Sequence, residues 1–431
     1  MRSSSLAKIA AIGVVGAMAL AACSNSSTAS SSSSAAPAAS PGAPASSAAP
    51  AASSGSASAS SAPSSAAAGG GLGGGGTTIK IAFQGPLSGD NQQLGINEVN
   101  GFRLAISEAN ASGKLGFTLA GIESDDQGAP DKAPAAAAKI LQDSAVVGVI
   151  GPSFSGATKA VGKTYGDAGL AMITPSATNP TLSTLGFTTF HRIVPSDNVE
   201  GTQGADWLAT KGIKTVYVID DLSDYGKGVA DAMEKELTAK GVKVTRQGVD
   251  AKTTDYTASA QAVQSSGAGA LFYGGYDAQA ALFAKALKAA GYKGLTVTGN
   301  GGKSSVFTTG AGAAGNGWYF TCGCLDATTA PAAKAFTAAY TKMFNTPPST
   351  YSPEAYDATN ALIEAIKAAK GAGSITKASV ETAVNALDYK GITTEVKFEK
   401  SGEVSASVQT VNLYQQKNGA IVLLGNIKDQ K

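Results

Sequence analysis

The sequence predicts an α/β protein of two lobes, each built on a mainly parallel sheet. From Thr77 onward one unit recurs: an amphipathic helical pattern, a glycine, then a short β-branched run. The helical stretches stop at Gly113, Gly169, Gly212, Gly241, Gly267 and Gly291, and glycine accepts the left-handed conformation that commonly ends a helix. The repeat also covers about 355 residues, more than one compact sheet of ordinary domain size would hold.

The elements follow in order. Runs at 117–122, 170–174, 216–219, 242–244, 271–273 and 295–297 are short and apolar, as strands covered by helices on both faces should be. Phe102, Ile106 and Ala109 recur at one-turn spacing, as do Val229, Met233 and Leu237, so each helix carries one apolar stripe. The extended stretch 188–195 reads as a crossover between lobes. Helical patterns return at 330–344, 353–370 and 376–387, a strand pair is expected around Ser401-Gly402, and the last strands lie near 408–414 and 421–424. Residues 77–194 with 326–410 are thereby assigned to one lobe, and 195–325 with 411–431 to the other. A chain that leaves a lobe and returns crosses several times, which makes a hinge beside a ligand-sized cleft.

The N-terminus reads as a processing signal. Arg2 and Lys8 precede an apolar stretch from Ile9 to Ala19, too short for a mature membrane span. Leu20-Ala21-Ala22-Cys23 resembles the lipobox of bacterial lipoproteins, which implies removal of residues 1–22 and diacylation of Cys23. Two acyl chains anchor stably where one binds marginally; an ordinary secretory signal is the alternative. Residues 24–76 hold no charge and almost only Ser, Ala, Pro and Gly. Segment 23–76 is therefore expected to be a disordered tether with a reach of roughly 40 Å. The expected location is the outer face of the cell membrane, with membrane contact through the lipid alone. Arg2 and Lys8 account for the whole net charge of +2, so no basic surplus points to nucleic acid.

Gly151-Pro-Ser153-Phe-Ser155 is one residue short of the GxSxG turn of serine hydrolases. The same geometry describes a helix N-terminus that captures an anion. A hydrolase needs a base, and the one histidine, His191, lies too close behind the serines for the hydrolase order. A serine–lysine pair with Lys159 or Lys163 is a formal alternative, but lysines on a first helical turn are usually solvated. No enzyme is expected. Cys322-Gly-Cys324 offers two ligands, too few for zinc; in an oxidising compartment it forms a small disulfide or stays as free thiols. Gly299-Asn-Gly-Gly302 lacks the ending of a phosphate loop. No cofactor or metal is expected.

Seven stretches occur in one order: Phe83-Gln-Gly-Pro-Leu-Ser-Gly89, Glu123-Ser-Asp-Asp126, Val149-Ile-Gly-Pro-Ser-Phe-Ser155, Ile173-Thr-Pro-Ser-Ala-Thr178, Asp224-Tyr-Gly-Lys-Gly228, Phe272-Tyr-Gly-Gly-Tyr276 and Glu354-Ala-Tyr-Asp357. Together they resemble the leucine/isoleucine/valine-binding proteins of branched-chain amino-acid ABC importers. The resemblance implies a type I periplasmic binding fold, with two Rossmann-like lobes joined by a three-strand hinge. It also implies a monomer that binds one small ligand, a branched-chain or other hydrophobic amino acid or a related carboxylate, and delivers it to a membrane permease. Position by position, Ser155 matches the hydroxyl that bonds the ligand carboxylate, and Thr178 adds a hydroxyl and a backbone N–H. The carbonyl of Ser176 would accept from the ammonium. Tyr225 and Tyr276 approach from the second lobe, while Leu94 and Tyr351 wall the side-chain pocket. Each has a plainer reading: Ser155, for instance, as a helix N-cap.

One position departs from the pattern. Where the family often carries an acid to balance the ammonium, this chain has Asn300. Either Asp277 or Glu354 substitutes, or an amino acid binds weakly, or the ligand is a carboxylate or amide without an ammonium. A ligand-sensing receptor on the same fold is the alternative function.

Overall fold

The computed structural model describes residues 77–430. The signal segment, Cys23 and the tether lie outside the described residues. Five strands form a parallel sheet: β1 (Thr78–Gly85), β2 (Thr118–Asp125), β3 (Val146–Ile150), β4 (Ala171–Thr174) and β5 (Phe190–Arg192), in the order β2-β1-β3-β4-β5. Five more continue a second sheet: β6 (Thr215–Asp220), β7 (Lys243–Gly248), β8 (Ala270–Gly274), β9 (Leu295–Thr298) and β10 (Tyr319–Cys322). These run β7-β6-β8-β9-β10, the order of the first sheet repeated. A short antiparallel pair, β11 (Tyr389–Lys390) with β12 (Glu395–Val396), stands apart. β13 (Asn412–Lys417) then extends the second sheet antiparallel to β10, and β14 (Ala420–Asn426) pairs antiparallel with β13.

The helices are α1 (Gln92–Ala111), α2 (Ala133–Leu141), α3 (Ser155–Asp167), α4 (Asp197–Thr210), α5 (Asp224–Ala239), α6 (Thr257–Ser266), α7 (Asp277–Ala289), α8 (Ser305–Ala311), α9 (Lys334–Phe344), α10 (Ser352–Gly371) and α11 (Lys377–Asn385). Among the described residues none is long and apolar enough to cross a membrane. Every residue of β3 and of β8 is buried, which is why those runs are continuously apolar instead of alternating. Ile81, Phe83, Phe102, Ile150 and Ile173 build the core of the first sheet, and Val216, Val218, Met233, Phe272 and Val297 that of the second. α10 returns late in the chain to cover the first sheet. It comes so close that a Cβ on Gly148 would lie 2.8 Å from Leu362 Cδ1.

Three passes of the chain connect the sheets, after β5, after β10 and before β13. They meet around a cavity of about 240 Å³ lined by Ile193, Pro195, Gly323, Cys324, Val404 and Asn412. Cys322 and Cys324 are joined in a disulfide on the second pass. The Cys324 carbonyl accepts from Tyr414 Oη at 2.8 Å and Asn412 Nδ2 at 3.0 Å, tying that pass to β13.

Two elements differ from expectation. The strand pair around Ser401-Gly402 is reduced to one bridge, Phe398 with Val404, because its turn is drawn onto β5. Gly402 sits at φ +79°, where a Cβ would strike the Phe190 carbonyl at 1.9 Å, and its own carbonyl accepts from Arg192 N at 2.8 Å. The penultimate strand begins at Asn412, since Ala406–Val408 forms a 3-10 turn at the end of the third pass.

Candidate functional site

In both sheets the strand order reverses beside the first strand, between β1 and β3 and between β6 and β8. Loops at the carboxyl ends of strands bind ligands at such switch points. From the first sheet these loops lead to Ser155 at the start of α3 and to Thr178 after β4. From the second they lead to Tyr225 in α5, Tyr276 before α7 and the turn Asn300–Gly302 after β9.

The two sets face each other and touch. The Phe154 and Tyr276 rings stack with centroids 4.3 Å apart and planes 17° apart, and Tyr276 packs on Tyr225 at 5.1 Å. Lys159 Nζ lies 2.7 Å from Asp224 Oδ1, Asn179 Nδ2 donates to the Asp224 carbonyl at 2.5 Å, and Asn91 Nδ2 donates to Asp277 Oδ1 at 2.7 Å. Outside the aromatic stack a cavity of about 400 Å³ opens between Pro130, Phe154, Asp224 and Tyr276.

The first-sheet side is made of hydroxyls. Ser155 is the first residue of α3 and not its N-cap. The cap is Phe154, extended at φ −101° and ψ 145°, with no side-chain acceptor for the free amides. The helix start is thereby left open to an anion, whose charge the helix dipole favours. Ser155 Oγ accepts from Asn179 N at 3.1 Å, tying α3 to the Thr178 loop and leaving its proton to donate elsewhere. Thr178 Oγ1 is buried close to the buried Asp197 carboxyl, and makes no hydrogen bond of ordinary length and angle among the described residues. Ser176 Oγ donates to the Ser153 carbonyl at 2.7 Å.

A fully buried guanidinium fixes the Thr178 loop from behind. Arg192 Nη1 donates to the carbonyls of Ala177 at 3.0 Å and Asn179 at 2.9 Å, while Nε donates to Glu403 Oε2 at 3.0 Å. The turn that displaced the expected strand pair therefore anchors this loop.

Among the described residues, no histidine or lysine is hydrogen-bonded to Ser153 or Ser155. Ser153 Oγ donates to Glu98 Oε2 at 2.6 Å. His191 lies 3.1 Å from Glu381 and packs on Phe398, Lys159 pairs with Asp224, and Lys163 pairs with Asp167.

The second-sheet side is aromatic, amide and acidic. Tyr225 is buried, and its hydroxyl accepts from Gly301 N at 2.9 Å. Asn300 donates twice to a carboxylate that arrives from α4: its main-chain N to Glu200 Oε1 at 3.0 Å and its Nδ2 to Oε2 at 2.6 Å. Thr321 Oγ1 adds a third donor to Glu200 at 2.8 Å. A Cβ on Gly299 would lie 2.5 Å from the Tyr225 hydroxyl and 2.9 Å from Glu200 Oε1, so these two groups share one small volume. Tyr351 is buried at φ +68°, a left-handed conformation unusual for a bulky residue and characteristic of functional sites. Leu94 is buried on the first turn of α1, one turn before Glu98 on the same face.

Of the acids proposed to stand in for the one missing at Asn300, Asp277 is occupied by Asn91, Ala278 N and Ser304. Glu354 accepts from Leu325 N at 2.7 Å through Oε1, and its Oε2 has no partner among the described residues. Burial holds three carboxyls far above the usual range: Glu98 to about 8, against the Ser153 hydrogen bond; Glu354 to about 8; and Glu200 to about 7, against the Asn300 and Thr321 bonds.

Glu98, Glu200 and Arg192 were missed by motif reading, yet the acids leave a signal. Leu94/Glu98/Phe102, Glu200/Gly204/Leu208 and Glu354/Ala358/Leu362 each place an acid in the apolar phase of a helix. A charge in that phase is buried, and a buried charge needs a partner.

Two lobes of like topology, closed on each other over hydroxyls, aromatics and acids, define a cleft-type binding protein. The chain belongs to the periplasmic binding protein family, whose model matches residues 78–420, and the fold is the type I periplasmic binding fold. It is 31% identical over 353 residues to the Leu/Ile/Val-binding protein BraC3 of Rhizobium johnstonii, covering 80% of this chain and 93% of that one. It is 32% identical over 247 residues to the leucine-, isoleucine-, valine-, threonine- and alanine-binding protein of Pseudomonas aeruginosa, 57% of this chain and 66% of the relative. Among solved structures it resembles the branched-chain amino acid transporter substrate-binding protein LivJ of Streptococcus pneumoniae in complex with isoleucine. That match has a TM-score of 0.72 and 26% identity, over 81% of this chain and all of the other. The family is a solute-binding, non-enzymatic class.

Proposed function

We propose that this protein is an extracytoplasmic, lipid-anchored solute-binding protein that delivers a small hydrophobic amino acid of the branched-chain type to the permease of an ABC importer. The observation that carries the reading is the pairing of the open α3 start, with Ser155 and the unpartnered Thr178 hydroxyl, against Tyr225, Tyr276 and Asn300 on the other sheet. The ligand carboxylate meets Ser155, Thr178 and their amides, and the Ser176 carbonyl accepts from the ammonium. Leu94 and Tyr351 wall the side chain.

Residues 77–194 with 326–410 act as one lobe and 195–325 with 411–431 as the other. They open at the three passes and close on the ligand, as periplasmic binding proteins do. Because the ligand touches both lobes only when they are closed, its differential affinity shifts the population toward the closed form. Cys23 carries the lipid, and the protein works as a monomer at the outer face of the membrane.

A thermal-shift screen of the full chain against the twenty amino acids tests this. A ligand at 100 times its Kd stabilises by about 2.7 kcal/mol, so leucine, isoleucine or valine should give the largest shifts. Flat responses to all of them would refute the reading.

A further inference from the structure

We infer that Glu200, acting through Asn300, supplies the negative charge that selects a ligand bearing an ammonium group. The inference rests on the binding reading above and names the ligand class of that same cleft: zwitterionic amino acids, not simple carboxylates.

The geometry begins with Glu200 itself. The residue is 1% exposed, and the donors around its carboxylate, Asn300 N, Asn300 Nδ2, Thr321 Oγ1 and the Gly323 main chain, are all neutral. Among the described residues no Lys, Arg or His lies within ion-pair distance of it. A buried carboxylate held only by neutral donors carries a desolvation cost that a cation would offset. On the side of Gly299, Glu200 Oε1 lies beside the Tyr225 hydroxyl, one of the groups that the second sheet brings to the cleft.

Asn300 sets the direction in which that charge is felt. With Nδ2 committed to Glu200 Oε2, the amide carbonyl Oδ1 is turned away from the carboxylate. An amide has one acceptor end and one donor end, so the Glu200 bond fixes Asn300 as an acceptor on its other side. The same bond polarises the amide, since coupled hydrogen bonds strengthen one another in a low-dielectric interior. Asn300 thus presents an oxygen lone pair backed by a carboxyl whose ionised form a bound cation would favour. The opposite wall presents hydroxyls and helix amides suited to an anion. The two walls match the two ends of a zwitterion.

This also accounts for an asparagine where an acid would be the direct solution: the charge has moved from the loop to α4, and the loop residue connects it to the cleft. Glu200 is a positioning residue in this scheme, and its readout is selectivity, not affinity alone.

The test is isothermal titration of the wild type, Glu200→Gln and the double variant Glu200→Gln/Asn300→Asp, each with leucine and with 4-methylpentanoate, its deaminated analogue. The wild type should prefer leucine, and Glu200→Gln should weaken leucine roughly 10- to 100-fold while leaving 4-methylpentanoate unchanged or tighter. The double variant returns a carboxylate to the loop and should restore the preference, which keeps the test decisive even if the single variant fails to fold. Equal loss of both ligands in Glu200→Gln, an unchanged leucine preference, or a double variant without preference would each overturn the inference. A wild type that binds neither ligand nor any other amino acid would overturn the binding reading on which it rests. A wild type that binds 4-methylpentanoate as tightly as leucine would leave that reading standing and overturn this inference alone.

Discussion

The two halves of the cleft share one topology and almost none of their chemistry. β2-β1-β3-β4-β5 and β7-β6-β8-β9-β10 are the same strand order, and in both the loops after the third and fourth strands reach the cleft. On the first sheet those loops end in Ser153, Ser155, Ser176 and Thr178, small donors stiffened from behind by Arg192. On the second they end in Tyr276 and Asn300, beside Tyr225 and backed by Glu200. The difference teaches that strand order places a site while the residues just past each strand decide what it holds. Under the proposed function it would also divide the labour: the hydroxyl side would grip, and the aromatic side would close and select.

The sharpest way to break that division is to remove a grip. Thr178→Ala should weaken amino-acid binding by roughly 10- to 100-fold, the range for hydrogen bonds to a charged group. The melting temperature of the unliganded protein should move little, because Thr178 Oγ1 has only a loose contact with the Asp197 carboxyl to lose among the described residues. Calorimetry and a melting curve together check this, and a matching loss of stability would reassign Thr178 to the fold.

Next in size is Glu98, which lies behind the hydroxyl side. Its carboxyl is raised to about 8, so the stability it contributes is fully present below the ordinary carboxylate range and is lost as pH rises through about 8. Glu98→Gln keeps an acceptor for Ser153 and removes the titration. It should match the wild type at pH 5 and exceed it by on the order of 1–3 kcal/mol at pH 8, as read by denaturant unfolding. Parallel pH profiles would show that Glu98 does not titrate as its burial implies.

The smallest effect belongs to the closing side. Tyr276→Ala removes the stack on Phe154, and offset aromatic pairs contribute about 0.5–1.5 kcal/mol. Affinity should fall by a factor of roughly 2 to 10, mostly through faster dissociation in stopped-flow traces. A change confined to the association rate would place Tyr276 outside the closed latch.

Much of this was legible in the sequence. The helix–glycine–strand repeat exposed the α/β class, and two of the ordered loop motifs contain Phe154 and Tyr276, whose rings stack across the cleft. Whether Ser155 caps α3 was not legible: only the backbone shows that Phe154 occupies the cap, with no side-chain bond to the first amides. Nor was the Arg192–Glu403 pair, since it joins residues more than two hundred positions apart through a turn that read as a plain hairpin. Glu200 fell between the two cases. Its four-residue spacing to Gly204 and Leu208 marks it as buried, but its contact with Asn300 depends on how α4 packs beside β10, which local patterns do not encode.

The central claim is that one wall of the cleft takes an anion while the other takes a cation. Titrating the wild type with leucine, 4-methylpentanoate and 3-methylbutylamine tests it most directly, because the three share a side chain and differ only in which charged ends they keep. The account predicts that leucine binds at least about 100-fold more tightly than either truncated analogue. Equal affinity for leucine and either analogue would contradict it.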